Sequence, residues 1–202
     1  MIEADLREIK GIMETEQNAK SLFYPPGGIL IWMIIYLELI TFGIGIIAFV
    51  YSSKSELSSF KDSAAHLNVA IATINTIFLL TSGFFAAKSI HTFKNQQFET
   101  SIKFINIAML SGSGFLVLKC FEYFDKMQHG FELGYNTFFT YYWLLTGFHF
   151  LHVLVGLTIL FFMKRAIAKQ SILLEDFEAG TAFWHLCDLI WLILFPILYL
   201  LF

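Results

Sequence analysis

The sequence predicts an all-α membrane protein, a polytopic bundle of five transmembrane helices, and three observations carry that prediction. Of the 202 residues, 57% are hydrophobic and only 14% are charged, whereas an ordinary soluble domain is about 45–50% apolar and about 25% charged. Mean hydropathy is +0.67, so a soluble fold would expose more apolar surface than these charges can offset. Five apolar stretches follow one another, at about 29–51, 67–90, 102–124, 137–163 and 181–202. Each meets the roughly 20 residues needed to cross a bilayer. Backbone polar groups in hydrocarbon must be satisfied internally, which requires helices here, because the ~10-residue alternating segments of a barrel do not occur.

Residues 1–23 read as a cytoplasmic or interfacial tail rich in charge: Glu3, Asp5, Arg7, Glu8, Lys10, Glu14, Glu16 and Lys20. They contain no apolar h-region and do not read as a cleaved signal peptide. Ile2, Leu6, Ile9 and Met13 recur at helical spacing, so the tail is either a short helix on the membrane surface or a solvated segment. Tyr24-Pro25-Pro26-Gly27-Gly28 breaks the chain before the first span. The membrane domain then occupies 24–202.

The first span carries Glu38 close to the expected midplane. A charge there costs at least ~2.5–3.5 kcal/mol, so the carboxyl must be neutral, paired or facing a hydrated cleft. It is a candidate proton-handling group, or else an interhelical hydrogen-bond donor. In the second span Asn68, Asn75 and Ser82 recur every seven residues, with Thr76 and Thr81 beside them; small and amide side chains at this spacing join helices. Ser111-Gly112-Ser113-Gly114 in the third span permits close helix approach. That span ends in Lys119-Cys120-Phe121-Glu122-Tyr123, where Lys119 and Glu122 share a helical face and are expected to neutralise each other.

His149 and His152 share one face of the fourth span, and His185 and Asp188 repeat that spacing in the fifth, flanked by Trp184 and Trp191. Such histidines suit either helix-fixing acid–histidine pairs or a haem or metal site. The di-iron pattern of helical bundles requires Glu-x-x-His on two helices, and no span contains it. Buried His–Asp pairs explain the same residues more simply. No phosphate-binding loop or nucleophile elbow occurs. Two cysteines, Cys120 and Cys187, make no disulfide framework. Net charge is −3 without a basic block, so nucleic acid is not an expected partner.

Nine of the 13 Lys and Arg fall in the tail, the second loop and the fourth loop. By the positive-inside rule this predicts a cytoplasmic N-terminus and an outside C-terminus. Trp184, Trp191, Lys164 and Arg165 are candidate lipid-headgroup contacts.

The spans, in order, resemble subunit III of the haem-copper respiratory oxidases, the cytochrome c oxidase subunit III family. The residues that carry the resemblance are Tyr36-Leu37-Glu38, Asn75-Thr76 with Leu79-Leu80-Thr81-Ser82, and Phe115-Leu116 leading to Glu122-Tyr123. Thr146-Gly147-Phe148-His149-Phe150-Leu151-His152-Val153 with Gly156, and Trp184-His185-Leu186-Cys187-Asp188-Leu189-Ile190-Trp191 with Phe195-Pro196, complete them. Two departures stand out: Phe150 follows His149 where the family usually has Gly, and Lys119 stands where many oxidase subunits have Gln. Lys119 and the five-helix form look closest to the nitric-oxide-reductase-associated, NorE-type branch. Longer members carry two further N-terminal helices that this sequence does not show.

The resemblance implies a bundle split by a lipid-filled cleft and docked on catalytic subunit I of a haem-copper oxidase or nitric oxide reductase, in a prokaryotic-type inner (plasma) membrane. It implies an accessory respiratory-chain subunit with no catalytic residue and no metal of its own. Haem, with copper or iron, belongs to partner subunits, and bound phospholipid is expected. Glu38 matches the family's membrane-embedded carboxylate and proton-uptake role. Glu122, His149, His152, His185 and Asp188 match its polar network around the cleft. The competing readings are a standalone haem- or metal-binding membrane oxidoreductase, and a small transporter or assembly factor.

Overall fold

A computed structural model describes residues 28–202, which form six helices and, among those residues, no strand. The tail at 1–23 and the Tyr24–Gly27 break lie outside the described residues. The helices are α1 (Gly28–Ser55), α2 (Leu57–Ala64), α3 (Val69–Lys94), α4 (Phe98–Gln128), α5 (Thr137–Ala168) and α6 (Leu174–Tyr199). All but α2 are long and apolar enough to cross a membrane. All five run further than the apolar stretches indicate, at one end or both, because the added turns are polar. Most displaced is the last helix, which begins at Leu174 rather than near 181. Its first turn holds Glu175 and Asp176, acids that suit the positive end of a helix dipole.

Short α2 has no counterpart in the sequence reading. It is held by two buried residues: Ser63, whose Oγ accepts from Asn136 Nδ2 at 2.7 Å, and Phe60, which is fully buried and meets the rings of Phe49, Phe138 and Phe202 at 5.2–5.5 Å. This aromatic knot ties the C-terminal ends of α1 and of the chain to the start of α5.

Successive long helices alternate in direction, and α6 packs against α1, α3 and α5. The α3–α4 hairpin is the most extensive pairing. Ser82 Oγ donates to Ala108 O at 2.6 Å, and the hydroxyls of Ser89 and Ser101 meet at 2.9 Å. Helices in lipid gain nothing from hiding apolar surface from one another, so small residues and interhelical hydrogen bonds are what hold them. The Asn68–Asn75–Ser82 series divides into three tasks. Asn68 caps α3 by accepting from Ile71 N at 3.1 Å, Asn75 is buried at the core, and Ser82 bridges to α4.

Trp184 sets the centre. A methyl group added at Gly156 of α5 or Gly112 of α4 would come within 2.6 or 2.8 Å of its ring. The two glycines are therefore the walls of an indole slot. In α4 the buried positions Ser101, Ile105, Ala108, Gly112, Phe115, Lys119, Glu122 and Lys126 form one stripe at three- and four-residue spacing. That stripe carries Lys119 and Glu122 into the core.

Candidate functional site

The titratable residues inside the spans do not form one network around a cleft, as the resemblance implied. The residues expected from sequence, with Lys119, fall into three acid–base groups and a lone histidine, while Asp125 and Lys126 pair separately at 2.8 Å near the end of α4.

The first group fills the core between α4, α5 and α6. Lys119 Nζ donates to Glu122 Oε2 at 3.1 Å, to Tyr142 Oη at 3.3 Å and to Tyr199 Oη at 2.6 Å. Glu122 Oε1 accepts from Tyr142 Oη at 2.7 Å and from Tyr199 Oη at 2.5 Å. The ammonium also lies 4.9–5.3 Å from the ring centroids of Tyr123, Tyr142, Trp191 and Tyr199. A buried ion pair is tolerable only if its remaining protons and lone pairs are satisfied. Here all three ammonium protons and both carboxylate oxygens have partners, and aromatic faces surround the cation. The i, i+3 pairing expected from sequence is present; the two tyrosines that complete it were not anticipated. Tyr142 lies seven residues before His149 and so on the same helical face, which was the available signal.

The second group joins α1 to α5. His152 Nε2 lies 2.9 Å from Glu38 Oε2, with both side chains mostly buried. The contact is close by distance, but its alignment falls short of a hydrogen bond. On the other side of the ring, His152 Nδ1 is 2.8 Å from Phe148 O. A carbonyl only accepts, so Nδ1 carries a proton and donates it there. Nε2 therefore faces Glu38 Oε2 across the α1–α5 interface. The two residues border a cavity of about 320 Å³ whose other walls include Ile31, Ile34, Val155 and Phe183.

The third group lies on α6, where His185 Nδ1 is 3.4 Å from Asp188 Oδ2. Room for it comes from Gly83 of α3, where an added methyl would collide with the Asp188 carboxylate. His149 stands apart from all three. It is fully buried, stacks on Trp191 at 5.3 Å and meets the edge of Phe115 at 5.7 Å. Neither of its ring nitrogens has a hydrogen-bond partner among the described residues.

Trp184 and Trp191 are not headgroup contacts; both are completely buried. Trp184 fills its glycine slot, and Trp191 Nε1 donates to Thr76 Oγ1 at 3.0 Å. Tryptophan at a membrane–water boundary and tryptophan in a helix interface look alike in a sequence that is apolar on every side. Arg165 is exposed and lies over Phe161 at 5.0 Å, next to the partly buried Lys164. Cys120 is exposed, Cys187 is buried, and both are free thiols.

The profile of the family described as Cytochrome c oxidase subunit III matches residues 63–201. That range contains every residue of the three groups except Glu38. Among curated relatives, Cytochrome c oxidase subunit 3 of Rhipicephalus sanguineus is 33% identical over 132 residues, covering 64% of this chain and 50% of its own length. This chain thus spans half of that relative. The Corynebacterium diphtheriae protein of the same name is 27% identical over 182 residues, covering 86% of this chain and 88% of its own. That of Thermostichus vulcanus is 27% identical over 178 residues, covering 86% of each. Five membrane-length helices and a family match over most of the described residues lead to one conclusion: the chain belongs to the cytochrome c oxidase subunit III family.

Proposed function

We propose that this chain is an accessory, non-redox subunit that docks on the catalytic subunit I of a haem-copper oxidase and supports its proton uptake during sustained turnover. Haem and metal chemistry belongs to the partner. The observation that carries the reading is the Glu38–His152 pair. A carboxyl and an imidazole 2.9 Å apart, with the far side of the ring fixed to Phe148 O, set two side chains of proton-exchanging chemistry side by side across the α1–α5 interface. The bordering cavity suits a lipid chain that keeps bulk water away.

Lys119 favours a finer assignment, to the branch that serves nitric oxide reductases. The position that many oxidase subunits fill with Gln is occupied by an ammonium with a dedicated carboxylate and two tyrosines. The excess of Lys and Arg in alternate loops supports a plasma-membrane topology with a cytoplasmic N-terminus. Purification of the tagged chain from its own membranes tests the reading. A stoichiometric haem-bearing subunit is expected with it, and that subunit's reactivity with oxygen or nitric oxide decides the branch. A chain that purifies alone while the cell's oxidases stay intact would overturn the accessory role.

A further inference from the structure

Neighbouring helices cover α6 on all but one side. The uncovered side carries His185, Leu189, Leu192 and Ile193, at three- and four-residue spacing and all more than 40% exposed. Leu80 and Ala87 of α3, which flank Gly83 at helical spacing, are exposed beside it. The result is an apolar face with one imidazole in it. His185 lies near the middle of the 26-residue helix, and Gly83, which makes room for its partner Asp188, lies near the middle of α3. The imidazole therefore opens outward at the depth of the hydrocarbon core.

That position is unsuited to lipid. Ionisable side chains within spans turn toward protein or water, because an unsatisfied polar group among acyl chains costs several kcal/mol. The Glu38–His152 pair obeys this rule: both of its side chains are under 15% exposed, whereas His185 is 45% exposed. Asp188 engages Nδ1 and fixes the ring. Nε2 has no hydrogen-bond partner among the described residues, and neither does the buried Asp188 Oδ1.

We infer that this face of α6, with the adjoining edge of α3, receives a transmembrane helix of the catalytic subunit, one hydrogen-bonding side chain of which meets His185 Nε2 near mid-bilayer. The inference rests on the accessory-subunit reading above and adds the surface through which it operates. Leu189, Leu192, Ile193 and Leu80 supply the packing; His185 sets the depth and register of the incoming helix.

Photocrosslinking in native membranes tests it. Benzoylphenylalanine is placed in the full-length chain at Leu189 or Leu192, and as controls at Leu154 of α5 or Ile44 of α1, which are at least as exposed on other faces. Crosslinks to the haem-bearing subunit are expected from Leu189 and Leu192 and not from the controls. In parallel, His185→Leu is expected to lower the haem recovered per chain by about threefold to tenfold, and His185→Gln to preserve it. A complex that co-purifies but crosslinks only through Leu154 or Ile44 would overturn the docking face and leave the accessory role standing. Crosslinks from Leu189 only to lipid, to this chain's own tail or to a second copy would also overturn it. Undiminished haem recovery with His185→Leu would remove the imidazole from the contact. If no haem protein accompanies the unaltered chain, the accessory reading fails and takes the docking face with it.

Discussion

Tyr199 Oη accepts a 2.6 Å hydrogen bond from Lys119 Nζ and donates one of 2.5 Å to Glu122 Oε1. A single hydroxyl thus stitches the last turn of α6 to a buried ion pair on α4. Removing one charge and leaving the other buried is the severe change. Lys119→Met or Glu122→Leu is expected to destabilise the detergent-solubilised chain by about 3–5 kcal/mol, and the double variant by less than either. Thermal unfolding of the three variants checks this; a double variant worse than both singles would contradict it.

Tyr199→Phe removes one donor and one acceptor but no charge, so a smaller loss of about 1–3 kcal/mol is expected. A loss as large as that of Lys119→Met, in the same unfolding assay, would mean the hydroxyl is as important as the ammonium.

The indole slot makes a steric prediction. Gly156→Ala brings a methyl group to 2.6 Å from the Trp184 ring, and such overpacking costs about 1–3 kcal/mol. Gly43→Ala in α1, where the added methyl meets nothing within 4 Å, is expected to be neutral or mildly stabilising. Comparing melting temperatures separates the two; equal effects would refute the slot.

Ion pairs at the rim differ from those in the core. Lys94 Nζ lies 2.6 Å from Glu178 Oε1, closer than Lys119 to Glu122, but both rim side chains are partly exposed. Exposed pairs contribute about 0–1 kcal/mol. Lys94→Ala is expected to leave stability within that range, as measured by the same unfolding assay at low and high salt.

These cases show what the sequence could disclose. Long apolar runs disclose spans, and i, i+3 spacing disclosed Lys119–Glu122 and His185–Asp188, because both are local. The partners that complete the groups are not local: Glu38 meets His152, and Tyr142 and Tyr199 reach Glu122 from two other helices. A soluble helix reveals its inner face by being polar on the other. A membrane helix is apolar all round, so nothing in the pattern placed Trp184 and Trp191 inside, or His185 on an outward face. Short α2 shows the same limit at small scale, since the two residues that anchor it, Phe60 and Ser63, lie in a serine-rich stretch and meet partners distant in sequence.

Glu38, which lies 2.9 Å from His152, is the residue on which the proposed role in proton uptake rests. The most direct measurement is the rate at which the purified complex loses activity during sustained turnover, with Glu38→Gln beside the unaltered chain. Glutamine keeps the shape and hydrogen bonding of the side chain but cannot exchange a proton. Intact assembly with faster loss of activity and lower proton uptake is the expected result. An unchanged inactivation rate and unchanged proton uptake would contradict the account and leave Glu38 a structural contact between α1 and α5.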